Sequence, residues 1–213
     1  MMLKVCGHTR VEDAIASRAL GVDMIGVVGV RSSPRYVPPE AVARFRSAVG
    51  EVFYVVDYES VDSMLEVGRL AGAIQVHRHL SRWEMRRLGE SGLRIIAVVP
   101  ATAEGVEYVD LVRSHGLMPL IHSTRGRLEP RDLEPFGDIS DSGIAGGIGP
   151  ENAHEFLAMK SLPLFIDVSR GVERPGAIGV KDVGRVAELL RIVKGGRGGV
   201  RHGEEVEEDG GIP

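Results

Sequence analysis

Eight short apolar runs alternate with helix-length amphipathic segments along most of the chain, and this alternation limits the fold more than any other feature. The runs cover residues 3–6, 24–30, 52–57, 73–77, 94–99, 118–122, 139–145 and 163–168. Strands separated by helix-length segments are typical of βαβ units and a parallel sheet. Because eight such units favour closure of the sheet, we predict an α/β fold, a (β/α)8 TIM barrel.

The sixth unit of this pattern is short. Residues 124–137 contain Pro130 and Pro135, which leave room for at most a turn or two of helix. An open doubly wound sheet is the alternative, but no Gly-x-Gly-x-x-Gly follows the first apolar run. We therefore prefer a barrel with a shortened sixth β/α unit.

Length and charge divide the chain into a body and a tail. A chain of 213 residues suits one domain, which we place at residues 1–194. Residues 195–213 contain seven Gly, two Arg and five Asp or Glu, and we expect a disordered acidic tail there. The rest of the chain is nearly neutral and only 5% of all residues are aromatic, which argues against nucleic-acid binding.

Hydropathy and cysteine content bear on the compartment. No apolar run is long enough to span a bilayer, and the first residues lack the pattern of a signal peptide. The single cysteine, Cys6, excludes an internal disulfide and suits a reducing environment. We therefore expect a cytoplasmic protein without membrane association.

Two glycine-rich turns follow the seventh and eighth runs. Exposed backbone N–H groups and the lack of a Cβ let an anion come close, and barrels commonly bind phosphate after their last two strands. The residues predicted to hold a phosphate are Gly146, Gly147, Ser169 and Gly171. The first turn continues into Pro150, which we predict to occupy the first position of a helix.

Other reactive side chains also follow strand-like runs, so that a closed barrel would bring them to one end. They are Cys6, Arg35, Asp57, Gln75, His77, His122 and Asp167. His77 and His79 alternate on one strand, but two ligands without a third do not make a metal site, and none is predicted.

Several of these residues stand in six short motifs that follow one another along the chain. The motifs are Lys-Val-Cys-Gly-His-Thr-Arg at 4–10, Ser-Pro-Arg at 33–35, Gln-Val-His at 75–77, Ala-Gly-Gly-Ile-Gly-Pro-Glu-Asn at 145–152, Asp-Val-Ser-Arg-Gly-Val-Glu at 167–173 and Lys-Asp at 181–182. One motif alone is weak, whereas the ordered set is specific. The chain resembles a divergent member of the phosphoribosylanthranilate isomerase family of tryptophan biosynthesis, whose motifs occur in the same order.

The resemblance implies a (β/α)8 barrel that carries out an Amadori rearrangement of a phosphorylated aminosugar, without metal or cofactor. It implies that Cys6 is the general base and that Arg35 pairs with the anthranilate carboxylate. Asp167 would orient the anthranilate amine or a ribose hydroxyl, and Gln75 and His77 would support substrate binding. The implied partner is a small phosphorylated substrate, and the implied assembly is a monomer or a homodimer.

Two departures from the family pattern concern acid catalysis and loop closure. His122 stands where the family has its acidic Asp, and the family's Gly-Gly-Thr-Gly loop is replaced by residues 124–136. An imidazolium donates a proton readily near neutral pH, so we expect His122 to be the general acid. If the strand register differs, Asp138 or Asp141 is the alternative acid.

The sequence also permits other roles for these residues. Cys6 is otherwise a small buried apolar residue, Arg35 a solvated surface arginine, and Asp167 a structural carboxylate. A related phosphate-barrel enzyme, such as a synthase that needs early-strand lysines, fits less well, because only Lys4 among four lysines lies on an early run. The third hypothesis is a barrel that binds a phosphorylated or anthranilate-like ligand without turnover.

Overall fold

A computed structural model describes residues 1–195 of the chain, and its centre is a closed barrel of eight parallel strands in chain order. The strands are β1 Met2–Val5, β2 Met24–Val28, β3 Val52–Val56, β4 Gly72–Val76, β5 Arg94–Pro100, β6 Met118–His122, β7 Gly143–Ala145 and β8 Phe165–Val168. Pairing of β1 with β8 closes the sheet, with Lys4 in register with Asp167. The predicted (β/α)8 barrel is confirmed.

Eight helices surround the barrel within the described residues. They are α1 Val11–Ala19, α2 Pro39–Val49, α3 Val61–Ala71, α4 Arg82–Gly89, α5 Ala103–Ser114, α6 Pro130–Leu133, α7 Ala153–Leu157 and α8 Val183–Gly195. The prediction of a shortened sixth unit is confirmed, since α6 has four residues and is followed only by a short 3₁₀ turn. None of these helices is long and apolar enough to cross a membrane.

Several predicted boundaries were wrong by a few residues, and strand seven differs most. Residues 139–142 precede β7, because Ser142 closes a turn by donating its backbone N–H to Ile139 O at 2.9 Å. Gly195, the first residue of the predicted tail, instead ends α8. The remainder of the predicted disordered tail, residues 196–213, lies outside the described part of the chain, and that prediction stays a prediction.

The start of α7 also differs from the prediction that Pro150 begins a helix. The side chain of Asn152 accepts the Gly149 N–H at 2.9 Å and donates to Gly147 O at 3.1 Å. These bonds close a turn over residues 147–152, so the helix begins only at Ala153. Pro150 therefore belongs to the turn.

Local sequence signals explain where other helices begin and end. Ser81 and Glu84 form a capping box that satisfies free N–H groups at the start of α4. Gly72 ends α3 with a φ of 98°, a left-handed conformation that glycine adopts without strain. Because β4 begins at this same glycine, α3 leads directly into β4, which pairs with β3.

Side chains fill the inside of the barrel, as is usual for this fold. The inner cluster consists of Met24, Phe53, Ala73, Ile96, Leu120, Ala145 and Phe165. Gly143 leaves room for the ring of Phe165, because a Cβ at that glycine would lie 2.1 Å from Phe165 Cζ. A larger cluster lies between the strands and the helices. The interior of the barrel is therefore filled by apolar side chains.

Replacing Phe165 with alanine tests the packing of this inner apolar cluster. The ring is fully buried, so Phe165→Ala should lower the free energy of unfolding by about 3–5 kcal/mol through lost burial and a new cavity. Urea denaturation at constant pH measures the change. Ile15→Ala is the control, since that side chain is 47% exposed and its truncation should cost less than about 1 kcal/mol. Equal losses in both variants would contradict this packing.

Candidate active site

A cavity of about 330 Å³ opens at the carboxyl ends of the barrel strands. Its walls contain all ten residues that the sequence predicted for the site, together with Asp57. These ten are Cys6, Arg35, Gln75, His77, His122, Gly146, Gly147, Asp167, Ser169 and Gly171. The thiol and both glycine turns therefore lie at the same end of the barrel, as closure of the sheet requires.

Cys6 directly follows β1 and is held by its backbone. Its N–H donates to Val168 O at 2.8 Å, and only 7% of the residue is exposed. Gly26 on the neighbouring strand makes room for the thiol, because a Cβ there would lie 2.6 Å from Cys6 Sγ. Burial raises the pKa of the thiol, and the positive charges of Lys4 and Lys181 oppose that rise only in part.

A buried ion pair lies beneath the cavity. Lys4 Nζ donates to Asp167 Oδ2 at 3.1 Å, and both side chains are shielded from water. Burial works to lower the pKa of Lys4, but Asp167 and Cys6 outweigh it and raise that pKa, so the amine stays charged. Asp167 Oδ1 and Gln75 Oε1 have no hydrogen-bond donor among residues 1–195. Because buried acceptors are normally satisfied, these two oxygens suit donors on a ligand.

Arg35 is fixed by the turn that follows β2. Its backbone N–H donates to Ser33 Oγ at 3.1 Å, and its guanidinium donates from Nε and Nη2 to the two carboxylate oxygens of Glu173, both at 2.6 Å. Glu173 Oε1 also accepts from Lys181 Nζ at 3.1 Å. Burial works to raise the pKa of Glu173, but Arg35 and Lys181 outweigh it and lower that pKa.

His77 and His122 face each other across part of the cavity. Their ring centroids are 5.4 Å apart with an interplanar angle of 68°, an edge-to-face arrangement. Burial lowers the pKa of His77, and the neighbouring His122 lowers it further.

The prediction that Asp138 or Asp141 is the alternative general acid was wrong. Both lie before β7, at the amino end of the barrel, because β7 begins only at Gly143. Asp141 accepts from Arg113 Nη2 at 2.8 Å, and Asp138 Oδ1 accepts from Ser161 Oγ at 2.7 Å. Neither carboxylate contributes to the cavity.

The two glycine turns pack directly on each other. Gly146 and Gly147 have φ values of 124° and 61°, which other residues rarely adopt. A Cβ on Gly171 would lie 2.2 Å from Ile148 O, so the second turn fits against the first only without a side chain. The result is a compact set of backbone groups at one side of the cavity.

The loop after β6 also contacts the first turn, although it lacks the motif expected from the family. Ser123 Oγ donates to Arg127 O at 2.7 Å, and the Leu128 N–H donates to Gly146 O at 2.9 Å. Gly126 lines the cavity, and a Cβ on Gly147 would lie 2.7 Å from Gly126 O. The shorter loop thus still covers this side of the site.

Glu173 and Lys181 have no role predicted from the sequence, although both belong to the motifs that resemble the family. An acid and a lysine eight residues apart in a loop carry no signal of pairing until the loop is folded. His8, in the first motif, is buried with a pKa lowered to about 3, first by burial and then by Lys181. Its ring contacts Gly26 O and Ser17 Oγ, which fixes the loop after β1.

Metal-binding geometry is not found in the described residues: no three His, Cys, Asp or Glu side chains of residues 1–195 are grouped as metal ligands. The polar groups of the cavity are hydrogen-bond donors and acceptors, and they include both cationic and anionic side chains. They suit an anionic ligand that also carries hydroxyl or amine donors.

Comparison with known proteins places this geometry in a family. The model of the N-(5′-phosphoribosyl)anthranilate (PRA) isomerase family matches residues 3–191. An N-(5′-phosphoribosyl)anthranilate isomerase of Sulfolobus acidocaldarius is 33% identical over 198 residues, covering 92% of this chain and 96% of its own. One from Synechococcus sp. strain JA-3-3Ab is 32% identical, covering 90% of each chain.

Solved structures agree with the sequence matches. A monomeric form of the dimeric phosphoribosylanthranilate isomerase of Thermotoga maritima superposes with a TM-score of 0.79 at 25% identity, covering 92% of this chain and 99% of its own. A phosphoribosylanthranilate isomerase in complex with reduced 1-(o-carboxyphenylamino)-1-deoxyribulose 5-phosphate gives a TM-score of 0.74 at 26% identity, with the same coverage.

Fold and site together define a (β/α)8-barrel protein with its chemistry at the carboxyl ends of the strands. Within that class, the chain belongs to the N-(5′-phosphoribosyl)anthranilate isomerase family.

The raised pKa of Cys6 gives a direct prediction, because the chain has no other thiol. The rate of alkylation by iodoacetamide should rise with pH around a midpoint above the value of about 8.5 for a free cysteine. Mass spectrometry across a pH series measures the rate, and Cys6→Ser controls for labelling elsewhere. A midpoint below that of free cysteine would show that the nearby cations outweigh burial.

Proposed function

We infer that this chain catalyses the isomerisation of N-(5′-phosphoribosyl)anthranilate to 1-(o-carboxyphenylamino)-1-deoxyribulose 5-phosphate, a step of tryptophan biosynthesis. The observation that carries this conclusion is the meeting of nine motif residues and His122 in one cavity of a chain that belongs to the family. The relatives that match nearly the full chain are named as isomerases of this substrate.

The reaction needs one acid and one base on different sides of the sugar. In the first step the amine lone pair forms a C1′=N bond, the C1′–O4′ bond breaks and O4′ takes a proton. In the second step a base removes the C2′ proton, and the electron pair moves through C1′ to nitrogen to give an enolamine. Tautomerisation of this enol gives the ketone, with no external oxidant or reductant.

Cys6 and His122 are the residues we assign to these steps. Cys6 follows β1 and His122 ends β6, so they reach the cavity from strands that are not neighbours. His122 protonates O4′, and the Cys6 thiolate removes the C2′ proton. His122 stands where the family has an aspartic acid, and an imidazolium can perform the same proton transfer.

The remaining polar groups bind the substrate. Asp167 Oδ1 and Gln75 Oε1 accept hydrogen bonds from the amine or from ribose hydroxyls, which satisfies two buried acceptors. Arg35 pairs with the anthranilate carboxylate, and His77 packs beside the reacting sugar next to His122. The N–H groups of the turns at Gly146, Gly147, Ser169 and Gly171 hold the phosphate.

We further propose that the enzyme works in the cytoplasm, as a monomer or a homodimer. Cys6 is an unpaired buried thiol, which suits a reducing compartment. One structural neighbour is described as dimeric. Size-exclusion chromatography with light scattering decides between the two assembly states.

Substitution of the proposed acid and base tests the mechanism. Cys6→Ser and His122→Asn should each lower kcat by about 10²- to 10⁴-fold with smaller changes in KM, because each removes a proton-transfer group. His122→Asp, which restores the family residue, should keep substantial activity. Steady-state turnover of freshly prepared phosphoribosylanthranilate, followed by loss of its fluorescence, measures both constants.

Two outcomes would contradict this assignment. Full activity of His122→Asn would remove His122 from the mechanism. No turnover by the unaltered protein, with binding of the substrate analogue intact, would favour the alternative of a barrel that binds such a ligand without catalysis. That alternative is motivated by the histidine at the acid position and by the raised pKa of Cys6.

The proposed phosphate site predicts a separate effect of Gly171→Ala. The added methyl group would meet Ile148 O and push the two turns apart, so KM should rise at least about tenfold while kcat changes less. Gly195→Ala is the matched control, because no atom of the described residues 1–195 lies within 4 Å of a Cβ at that position. Unchanged KM in Gly171→Ala would argue against phosphate binding at these turns.

A further inference from the structure

The guanidinium of Arg35 has two edges that can bind a carboxylate, and the protein occupies only one of them. Glu173 accepts hydrogen bonds from Nε and Nη2, both at 2.6 Å. Nη1 donates to no group in residues 1–195, and Nη2 retains a second proton. The edge formed by Nη1 and Nη2 is therefore available, and Arg35 lines the cavity.

Glu173 is itself rigidly held. Its carboxylate is 8% exposed, and Oε1 accepts from Lys181 Nζ, which is 1% exposed. Lys181 Nζ also donates to Ser169 O at 3.3 Å, in the second glycine turn, and the backbone N–H of Lys181 donates to buried Asp13 at 3.0 Å. The partner of Arg35 is thus anchored to β8 and α1 rather than to the loop that carries Arg35.

The stem of Arg35 is confined as well. A Cβ on Gly7 would lie 2.6 Å from Arg35 Cδ and 2.8 Å from Ser169 Oγ, so the arginine crosses directly over a glycine that follows Cys6. Arginine side chains are otherwise flexible, and fixing one before binding lowers the entropy lost when the ligand binds. The whole arrangement fixes both the direction and the depth of the guanidinium.

The charges of this group also favour an anion. Arg35 and Lys181 both pair with the carboxylate of Glu173, so two cations share that one carboxylate. If Glu173 competed with the substrate for Arg35, it would have to leave two cations to do so. Because it uses the other edge of the guanidinium, it can stay in place when a second carboxylate binds.

We propose that Glu173 is a positioning residue that holds Arg35 with its free edge toward the anthranilate carboxylate, and that Lys181 anchors Glu173 in this role. The inference rests on the proposed function and extends it. Glu173 touches no reacting atom, so it acts on recognition of the carboxylate and not on proton transfer.

Glu173→Gln tests the proposal by a split between KM and kcat. With phosphoribosylanthranilate, KM should rise by about 10- to 10²-fold, because the guanidinium loses its fixed direction, while kcat changes less than about threefold. With phosphoribosylaniline, which lacks the carboxylate, both constants should match those of the unaltered protein. In an Arg35→Ala background Glu173→Gln should have no further effect on KM.

Asp141→Asn is the matched control. Asp141 accepts from Nε and Nη2 of Arg113 at 3.1 and 2.8 Å, but at the opposite end of the barrel. This variant should affect stability alone and leave both kinetic constants unchanged. Glu173→Asp keeps the charge and should recover part of the lost affinity, and it provides a folded variant if Glu173→Gln does not fold, as judged by circular dichroism.

Binding of anthranilate, measured by calorimetry, separates failure of this inference from failure of the proposed function. Weaker binding to Glu173→Gln supports the inference even if the unaltered protein shows no turnover. Equal affinity for anthranilate in both proteins would overturn the inference, and so would equal losses with phosphoribosylanthranilate and phosphoribosylaniline. A lower KM in Glu173→Gln would also overturn the inference, because it would show that Glu173 competes with the substrate carboxylate for Arg35.

Discussion

The buried pair of Lys4 and Asp167 is the interaction on which the site depends. These residues are register partners across the seam where β8 meets β1, so the bond that joins the two ends of the sheet also forms the base of the cavity. Removing one partner of a buried pair leaves an uncompensated charge, which costs more than the pair contributes in place. Barrel closure and site electrostatics therefore have a common physical origin.

Above this ion pair, each charged group has a defined partner and still has hydrogen-bonding atoms left for a ligand. Lys4 uses one oxygen of Asp167, and Glu173 uses one edge of Arg35. The thiol of Cys6 lines the same cavity, and burial raises its pKa despite the positive charges of Lys4 and Lys181. The pKa of the proposed general base is thus raised, and the protein itself orients the anion-binding groups.

The fold and the set of residues that line the cavity were predictable from the sequence, because both depend on short-range patterns. The alternation of apolar runs with amphipathic segments predicted the barrel, and residues at the carboxyl ends of its strands must come together once the sheet closes. Pairings between distant loops were not predictable: the contact of Arg35 with Glu173 spans 138 residues and depends on loop conformation. The error at Asp138 and Asp141 arose similarly, since an apolar run does not reveal how much of it forms strand.

Contact between the two glycine turns has a consequence for how this family can diverge. Gly171 lies against the backbone of Ile148 and Gly149, and Gly147 lies against Gly126 of the loop after β6. A side chain acquired in one turn displaces the other, so these three loops must change together during evolution. Any combinatorial library that aims to alter ligand preference here should randomise them jointly, since single-loop variants would mostly be eliminated by backbone collision.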